Sequence, residues 1–378
     1  MSRVDSLLDE GLERGLFAGV AAGIAGPGGV ILETYRGAAR VEPREAPVEP
    51  GTLWDLASLT KPLAGAHLAL SLVDAGALEL VSPVSRFADV FRKTRFDGVT
   101  IGHLLTHTSG MADWFPCYVR GEGRAAYLRT LSEVDPDGPP GRKTNYSCLG
   151  YLVLASIVES VSAQPLDGFF RERVSDPLGL ADDLLFLPGD ASPALRGRAA
   201  GGERDDATER ALVAARKLRY VGFRSGVVNG EVNDGNAARR AAGVSLNAGL
   251  FGTLRAVLAA GRAWLPGNAR TLAEGTLVDA TRDHTPGLGE PRGLGWQLAT
   301  AENAGGEALG KGAFGHTGFT GTSLFVDPET QCVFGLLTNR LHPLRTPDLA
   351  QPNQGAQPGE MNDFRRRFHD AARSLVES

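Results

Sequence analysis

The sequence predicts an α+β fold, with an antiparallel sheet and its covering helices built from both ends of the chain and a mainly helical subdomain from its middle. Two observations near the ends point to strands. Leu16 to Leu32 is an apolar run broken by glycines around Pro27, and from Gly293 to Thr338 short apolar segments alternate with turn residues. A third points to helices: between Leu59 and about Leu187, apolar residues recur at helical spacing, as at Leu149, Leu152, Ile157 and Val161.

The chain opens on a short amphipathic helix whose Asp5, Asp9, Glu10 and Glu13 face water while Val4, Leu7, Leu8 and Leu12 face inward. Two strands follow, to about Arg36, joined by a Gly26-Pro27-Gly28-Gly29 turn; the same glycines argue against a membrane span. Asp55 and Ser58 then precede an apolar stretch from Leu63 to Val73 and mark a helix start, with Pro62 tolerable only in the first turn, where amides lack partners. Gly189 to Gly243 is rich in Gly, Ala and Arg with few large apolar residues and reads as a long irregular excursion. Asp327-Pro328-Glu329-Thr330 is a turn between the strands Leu324 to Val326 and Cys332 to Leu337, and a last helix carries Met361, Phe364, Phe368 and Leu375 on one face. The expected division of one catalytic unit is therefore a sheet-containing part (1–58 and about 244–378), a helical part (about 59–187) and the excursion (about 188–243).

Composition bounds the function. A 378-residue chain with 42% hydrophobic and 22% charged residues can bury a large core. Its net charge of -5, with arginines scattered among acids, leaves no basic stripe for nucleic acid. Cys117, Cys148 and Cys332 are too few and too widely spread for a disulfide framework, which suits a reducing compartment. The first residues lack a basic start and an apolar run, so a cytoplasmic protein without a membrane anchor is expected.

The chemistry concentrates in three short segments. A serine hydroxyl needs a base within reach to act as a nucleophile, and Lys61, three residues after Ser58, shares its face of a helix. The positive end of that helix should depress the Lys61 ammonium, leaving it neutral often enough to accept a proton, and should aim a backbone amide at an oxyanion. Tyr146 offers a phenol to relay a proton to a leaving group, with Lys61 and His316 as the cations that favour its phenolate form. His316, Thr317 and Gly318 read as a strand edge punctuated by glycines, which lets substrate approach the backbone, and the amide of Phe319 is the candidate second oxyanion donor. His103 and His107 have an i, i+4 spacing but lack the glutamate of a zinc helix, so neither a metal nor a cofactor is expected. There is no GxSxG elbow.

Ser58-Leu59-Thr60-Lys61, Tyr146-Ser147-Cys148 and His316-Thr317-Gly318 together resemble the SxxK, YxN or YxS, and KTG or HTG motifs of the serine beta-lactamase and penicillin-binding-protein superfamily. The resemblance is to its class C, DD-peptidase and esterase branch. It extends to Leu104-Leu105-Thr106-His107-Thr108-Ser109-Gly110-Met111, Pro177-Leu178-Gly179-Leu180, Asn247-Ala248-Gly249-Leu250-Phe251, Gly293-Leu294-Gly295-Trp296 and Leu337-Thr338-Asn339-Arg340, so it covers nearly the whole chain. It implies a beta-lactamase-like fold with the site at the seam of the two parts, and an acyl-enzyme on Ser58. The substrate expected is a small acyl ester; beta-lactam hydrolysis and D-amino-acid peptide cleavage are the alternatives, and a catalytically silent binding relative is the non-enzyme one. No feature fixes an oligomeric state.

Two further expectations concern specificity. Cys148 stands where beta-lactamases of this branch carry an Asn, and a thiol is a weak donor and acceptor, so acylamino substrates should lose a hydrogen bond that a simple ester never makes. The hairpin after Asp327 returns the chain toward His316, so Asn339 and Arg340 should flank the cleft, with Arg340 binding an acidic group.

Overall fold

A computed structural model of the chain describes residues 2–343 and 358–376. The N-terminal strands β1 (Gly19–Gly26), β2 (Gly29–Arg40) and β3 (Ala46–Pro47) lead into short strands β4 (Trp54–Asp55), β5 (Leu184–Phe186), β6 (Gly201–Arg204), β7 (Val227–Asn229) and β8 (Leu250–Gly252). The C-terminal strands are β9 (Gln297–Leu298), β10 (Phe314–Thr317), β11 (Ser323–Asp327) and β12 (Cys332–Thr338). Strands from the two ends form one antiparallel seven-stranded sheet in the order β3-β2-β1-β12-β11-β10-β9. The β1–β2 turn falls on the glycines around Pro27, and β2 runs to Arg40, four residues beyond the expected end.

Glycine pairing explains how the sheet is covered. Gly23 and Gly335 are register partners on β1 and β12, and a Cβ on Gly23 would sit 2.9 Å from Leu258 Cδ1, so the helix Leu254–Arg262 lies close against the sheet there. The helices Arg3–Glu13 and Pro358–Ser374 cover the opposite face. Val4, Leu8, Met361, Phe364 and Phe368 pack there against Val20, Ala22, Phe334 and Leu336. The first helix is fixed at its start by a reciprocal cap, in which Asp5 N–H donates to Ser2 Oγ and Ser2 N–H donates to the Asp5 carboxylate.

The middle of the chain packs around the helix Cys148–Ser162, whose Leu149, Leu152, Val153, Leu154 and Ile157 are buried. One apolar cluster runs from sheet residues such as Val326 and Leu337 to helical residues such as Leu104 and Leu152, so the two parts share a core and the cleft opens along their seam. Among the described residues no single helix is long and apolar enough to cross a membrane.

The segment 188–243 is not irregular. It contains β6, β7 and the helices Pro193–Gly197, Ala207–Ala215 and Gly235–Ala241. Small apolar residues such as Ala199, Val232 and Ala237 pack there, and buried polar contacts add to them: Asp206 accepts from Arg224 Nε and Arg239 Nη2, both at 2.7 Å, and Glu209 accepts from Gly235 N–H at 2.8 Å and from the Tyr118 hydroxyl. A reading based on large apolar residues misses such a segment.

Candidate active site

Ser58 sits in a single 3-10 turn, Ala57–Leu59, which passes into a wide helical turn, Lys61–Ala66, and then into the α-helix His67–Asp74. Pro62 falls at the start of the wide turn, where its missing N–H costs little. Ala57, just before the serine, holds a left-handed φ of 46°, a conformation that a non-glycine residue keeps only when its surroundings impose it. They do so here. Ala57 N–H donates to Asp55 Oδ1 at 2.9 Å, Leu56 N–H to Leu250 O at 3.0 Å, and Thr320 Oγ1 to Asp55 O at 2.7 Å. The Asp55 carboxylate also accepts from the backbone and side-chain nitrogens of Asn233, both at 2.8 Å.

Ser58 Oγ accepts two hydrogen bonds, from Lys61 Nζ at 2.9 Å and from the Tyr146 hydroxyl at 2.7 Å. Lys61 is fully buried, and its Nζ also reaches Asn247 O at 2.8 Å and Cys148 Sγ at 3.4 Å, which occupies all three ammonium donors. Burial alone would depress this ammonium, but the acidic groups of Cys148 and Tyr146 beside it hold its pKa above the ordinary lysine value. The expected neutral lysine is therefore replaced by a charged one in the resting site. Burial likewise pushes the Tyr146 phenol up, against the opposing pull of Lys61.

His316 and Thr317 end β10, with Gly318 following at the sheet edge. His316 is buried, its Nδ1 lies 2.7 Å from Thr317 O, and its Nε2 has no hydrogen-bond partner among the described residues. Burial, then the neighbouring Arg292 and Lys61, drive its pKa well below the usual histidine range. His316 is thus neutral and cannot serve as the second cation near Tyr146. That place is taken by Arg292, whose guanidinium lies 5.6 Å from the Tyr146 ring centre.

Gly318 has a steric reason: a Cβ there would fall 2.0 Å from Thr322 Oγ1 and 2.7 Å from Leu56 O, so only glycine lets the strand edge meet the Ser58 turn. Its own N–H is spent on Thr322 O at 2.8 Å. The Phe319 N–H forms no hydrogen bond among the described residues, while both flanking carbonyls are held by guanidinium groups, Gly318 O by Arg365 Nη2 and Phe319 O by Arg340 Nε, each at 2.6 Å.

A cavity of about 290 Å³ opens on one side of Ser58 and is lined by Tyr146, Arg292, His316, Thr317, Phe319, Arg340, Asn362 and Arg365. Burial lowers the pKa of Arg340 to about 10 and of Arg365 to about 9. On the other side a second cavity, about 190 Å³, is lined by Trp114, Cys148, Glu209, Leu212 and Asp234, several of them from the 188–243 segment. Burial, reinforced by Asp234, raises Glu209 to about 8.

Arg340 therefore reaches the cleft, but Asn339 does not. Asn339 is buried at the end of the central strand β12, accepting from Gly19 N–H at 2.7 Å and donating to Ala38 O and Ala39 O at 3.0 Å; alternation along an extended chain sends its side chain away from its neighbour's. His103 and His107 each commit Nδ1 to a backbone amide, of Thr100 at 3.2 Å and of Ser147 at 3.1 Å. Arg292 and Arg365 escape the sequence reading, although each had a signal: Arg292 directly precedes Gly293-Leu294-Gly295-Trp296, and Arg365 stands four residues after Met361, on the buried face of its helix.

Comparison with known proteins agrees with this geometry. The Beta-lactamase family model matches residues 4–356. A protein named putative D-alanyl-D-alanine carboxypeptidase from Escherichia coli (strain K12) is 27% identical over 341 residues, covering 82% of this chain and 76% of its own. Among solved structures, EstCE1, described as a hydrolase with promiscuous acyltransferase activity, superimposes with a TM-score of 0.72 at 23% identity, covering 98% of this chain and 97% of that one. A family VIII carboxylesterase does so with a TM-score of 0.70 at 19% identity, covering 99% and 96%. The chain belongs to the Beta-lactamase family, a family of serine hydrolases.

Proposed function

We propose that this protein hydrolyses small acyl esters through an acyl-enzyme on Ser58. The observation that carries the reading is the pair of hydrogen bonds that Lys61 and Tyr146 make to one serine oxygen. In the productive form the Lys61–Tyr146 pair has lost one proton, and the phenolate oxygen takes the Ser58 proton as Oγ attacks the carbonyl carbon. The amides of Ser58 and Phe319 receive the oxyanion. Tyr146 then returns the proton to the departing alkoxide, the carbon–oxygen bond breaks, and a water molecule repeats the cycle on the acyl-enzyme, releasing the acid and restoring Ser58. Cys148, in place of a side-chain amide at the cleft wall, supports esters over acylamino substrates.

A second reading, cleavage of carboxylate-bearing amides such as D-amino-acid peptides, is favoured by the guanidinium groups of Arg292, Arg340 and Arg365 around one cavity. A relative named for carboxypeptidase activity points the same way. A panel of a short p-nitrophenyl ester, a chromogenic cephalosporin and a D-alanyl-D-alanine peptide separates the readings. The ester should be turned over with the highest kcat/KM; a dominant peptide rate would install the second reading.

A further inference from the structure

We propose that His107 is a positioning residue for Tyr146, clamping the backbone on both sides of it so that the phenol reaches Ser58; this rests on the reading of Tyr146 as the proton carrier. Tyr146 lies in a stretch, 143–147, that has no regular secondary structure. The backbone amides immediately before and after it both end on His107: Asn145 N–H donates to His107 O at 2.7 Å, and Ser147 N–H donates to His107 Nδ1 at 3.1 Å. Between these two bonds the His107 ring lies against the tyrosine ring, with centres 4.6 Å apart, and it also touches Tyr151 at 5.2 Å.

The clamp uses an uncommon backbone conformation. His107 is buried and holds a left-handed φ of 57°, a region that histidine and asparagine enter more readily than most non-glycine residues. It also needs a neutral ring, because Nδ1 can accept from Ser147 only while unprotonated. Burial, followed by the nearby Arg292 and Lys61 charges, keeps the ring in that state.

A histidine that merely fills space predicts something different from a clamp. Delivery of a proton to the leaving group matters for a basic alkoxide and much less for nitrophenolate. A displaced phenol should therefore slow an ethyl ester more than a p-nitrophenyl ester of the same acyl group, whereas loss of folded enzyme slows both equally.

The test compares His107→Ala, His107→Phe, which keeps a ring but no acceptor, and His107→Asn, which keeps an acceptor and suits the positive φ. Rates are normalised to sites titrated with a fluorophosphonate. The Ala and Phe variants should lose roughly tenfold or more on the ethyl ester relative to the nitrophenyl ester, and the Asn variant should return the ratio to within about threefold of wild type. If the Ala variant does not fold, the Phe and Asn variants carry the comparison. Equal losses on both esters, or no recovery with Asn, would overturn the proposal. Tyr146→Phe, run alongside, separates the two failures: without a leaving-group dependence of its own the proton-carrier reading falls and the clamp with it. If that dependence is present while the His107 variants lack it, only the clamp falls.

Discussion

Lys61 Nζ lies 3.4 Å from Cys148 Sγ, so a thiol occupies one of three donor directions of the ammonium that also holds Ser58. An asparagine at that position would give Lys61 a stronger acceptor and present an N–H to an acylamide carbonyl. Cys148→Asn should therefore raise kcat/KM on a chromogenic cephalosporin relative to a p-nitrophenyl ester by about fivefold, the equivalent of about 1 kcal/mol. An unchanged ratio would remove the thiol as the source of selectivity.

Activity should have an alkaline limb. The productive site is one proton short of the resting one, and the pKa values of both Lys61 and Tyr146 are held above their ordinary values. Acid therefore keeps the pair fully protonated, and kcat/KM should climb as pH rises through and beyond neutrality. His316 and His107 are neutral throughout and add no limb near the usual histidine range. A rate independent of pH from 6 to 9 (roughly the span over which such a limb must begin) would contradict this protonation scheme.

Arg340→Ala should slow neutral esters as well as raise KM for carboxylate-bearing ones, because the side chain supplies both a charge at the cleft and the hydrogen bond to Phe319 O. Arg340→Lys keeps the charge and loses the Nε contact. Kinetics on one neutral and one carboxylate-bearing ester should show Lys restoring the second effect only.

Gly318→Ala should cost stability and activity together, since its Cβ would meet Thr322 Oγ1 at 2.0 Å and the Leu56 carbonyl at 2.7 Å. A loss of about 1–3 kcal/mol is the ordinary scale for such overpacking. Thermal unfolding measures the first effect and ester turnover the second; an unchanged Tm would show that the strand edge can move away.

What was legible in the sequence was what short spacing encodes. Ser58 and Lys61 meet because three residues of helix bring them together, and the hairpin around Asp327 follows from its turn residues. Arg292 and Arg365 went unassigned to the cleft, and His107 unassigned to Tyr146, because their placement depends on elements far apart in the chain, which a local signal such as the adjoining Gly293-Leu294-Gly295-Trp296 does not encode. The charge states were misread for a related reason: burial decides His316 and the partners Cys148 and Tyr146 decide Lys61, and neither is a local property. The 188–243 segment was misread because its apolar contacts come from small or scattered residues such as Ala199, Val232 and Ala237, supplemented by buried ion pairs such as Arg239–Asp206.

The central claim is that Ser58 Oγ carries the acyl group. Wild-type protein mixed briefly with excess short p-nitrophenyl ester, quenched in acid and analysed by intact mass and peptide mapping should gain one acyl group, located on the peptide bearing Ser58. Ser58→Ala should show neither adduct nor turnover. An acyl group mapped to Cys148, or undiminished turnover by Ser58→Ala, would contradict the account.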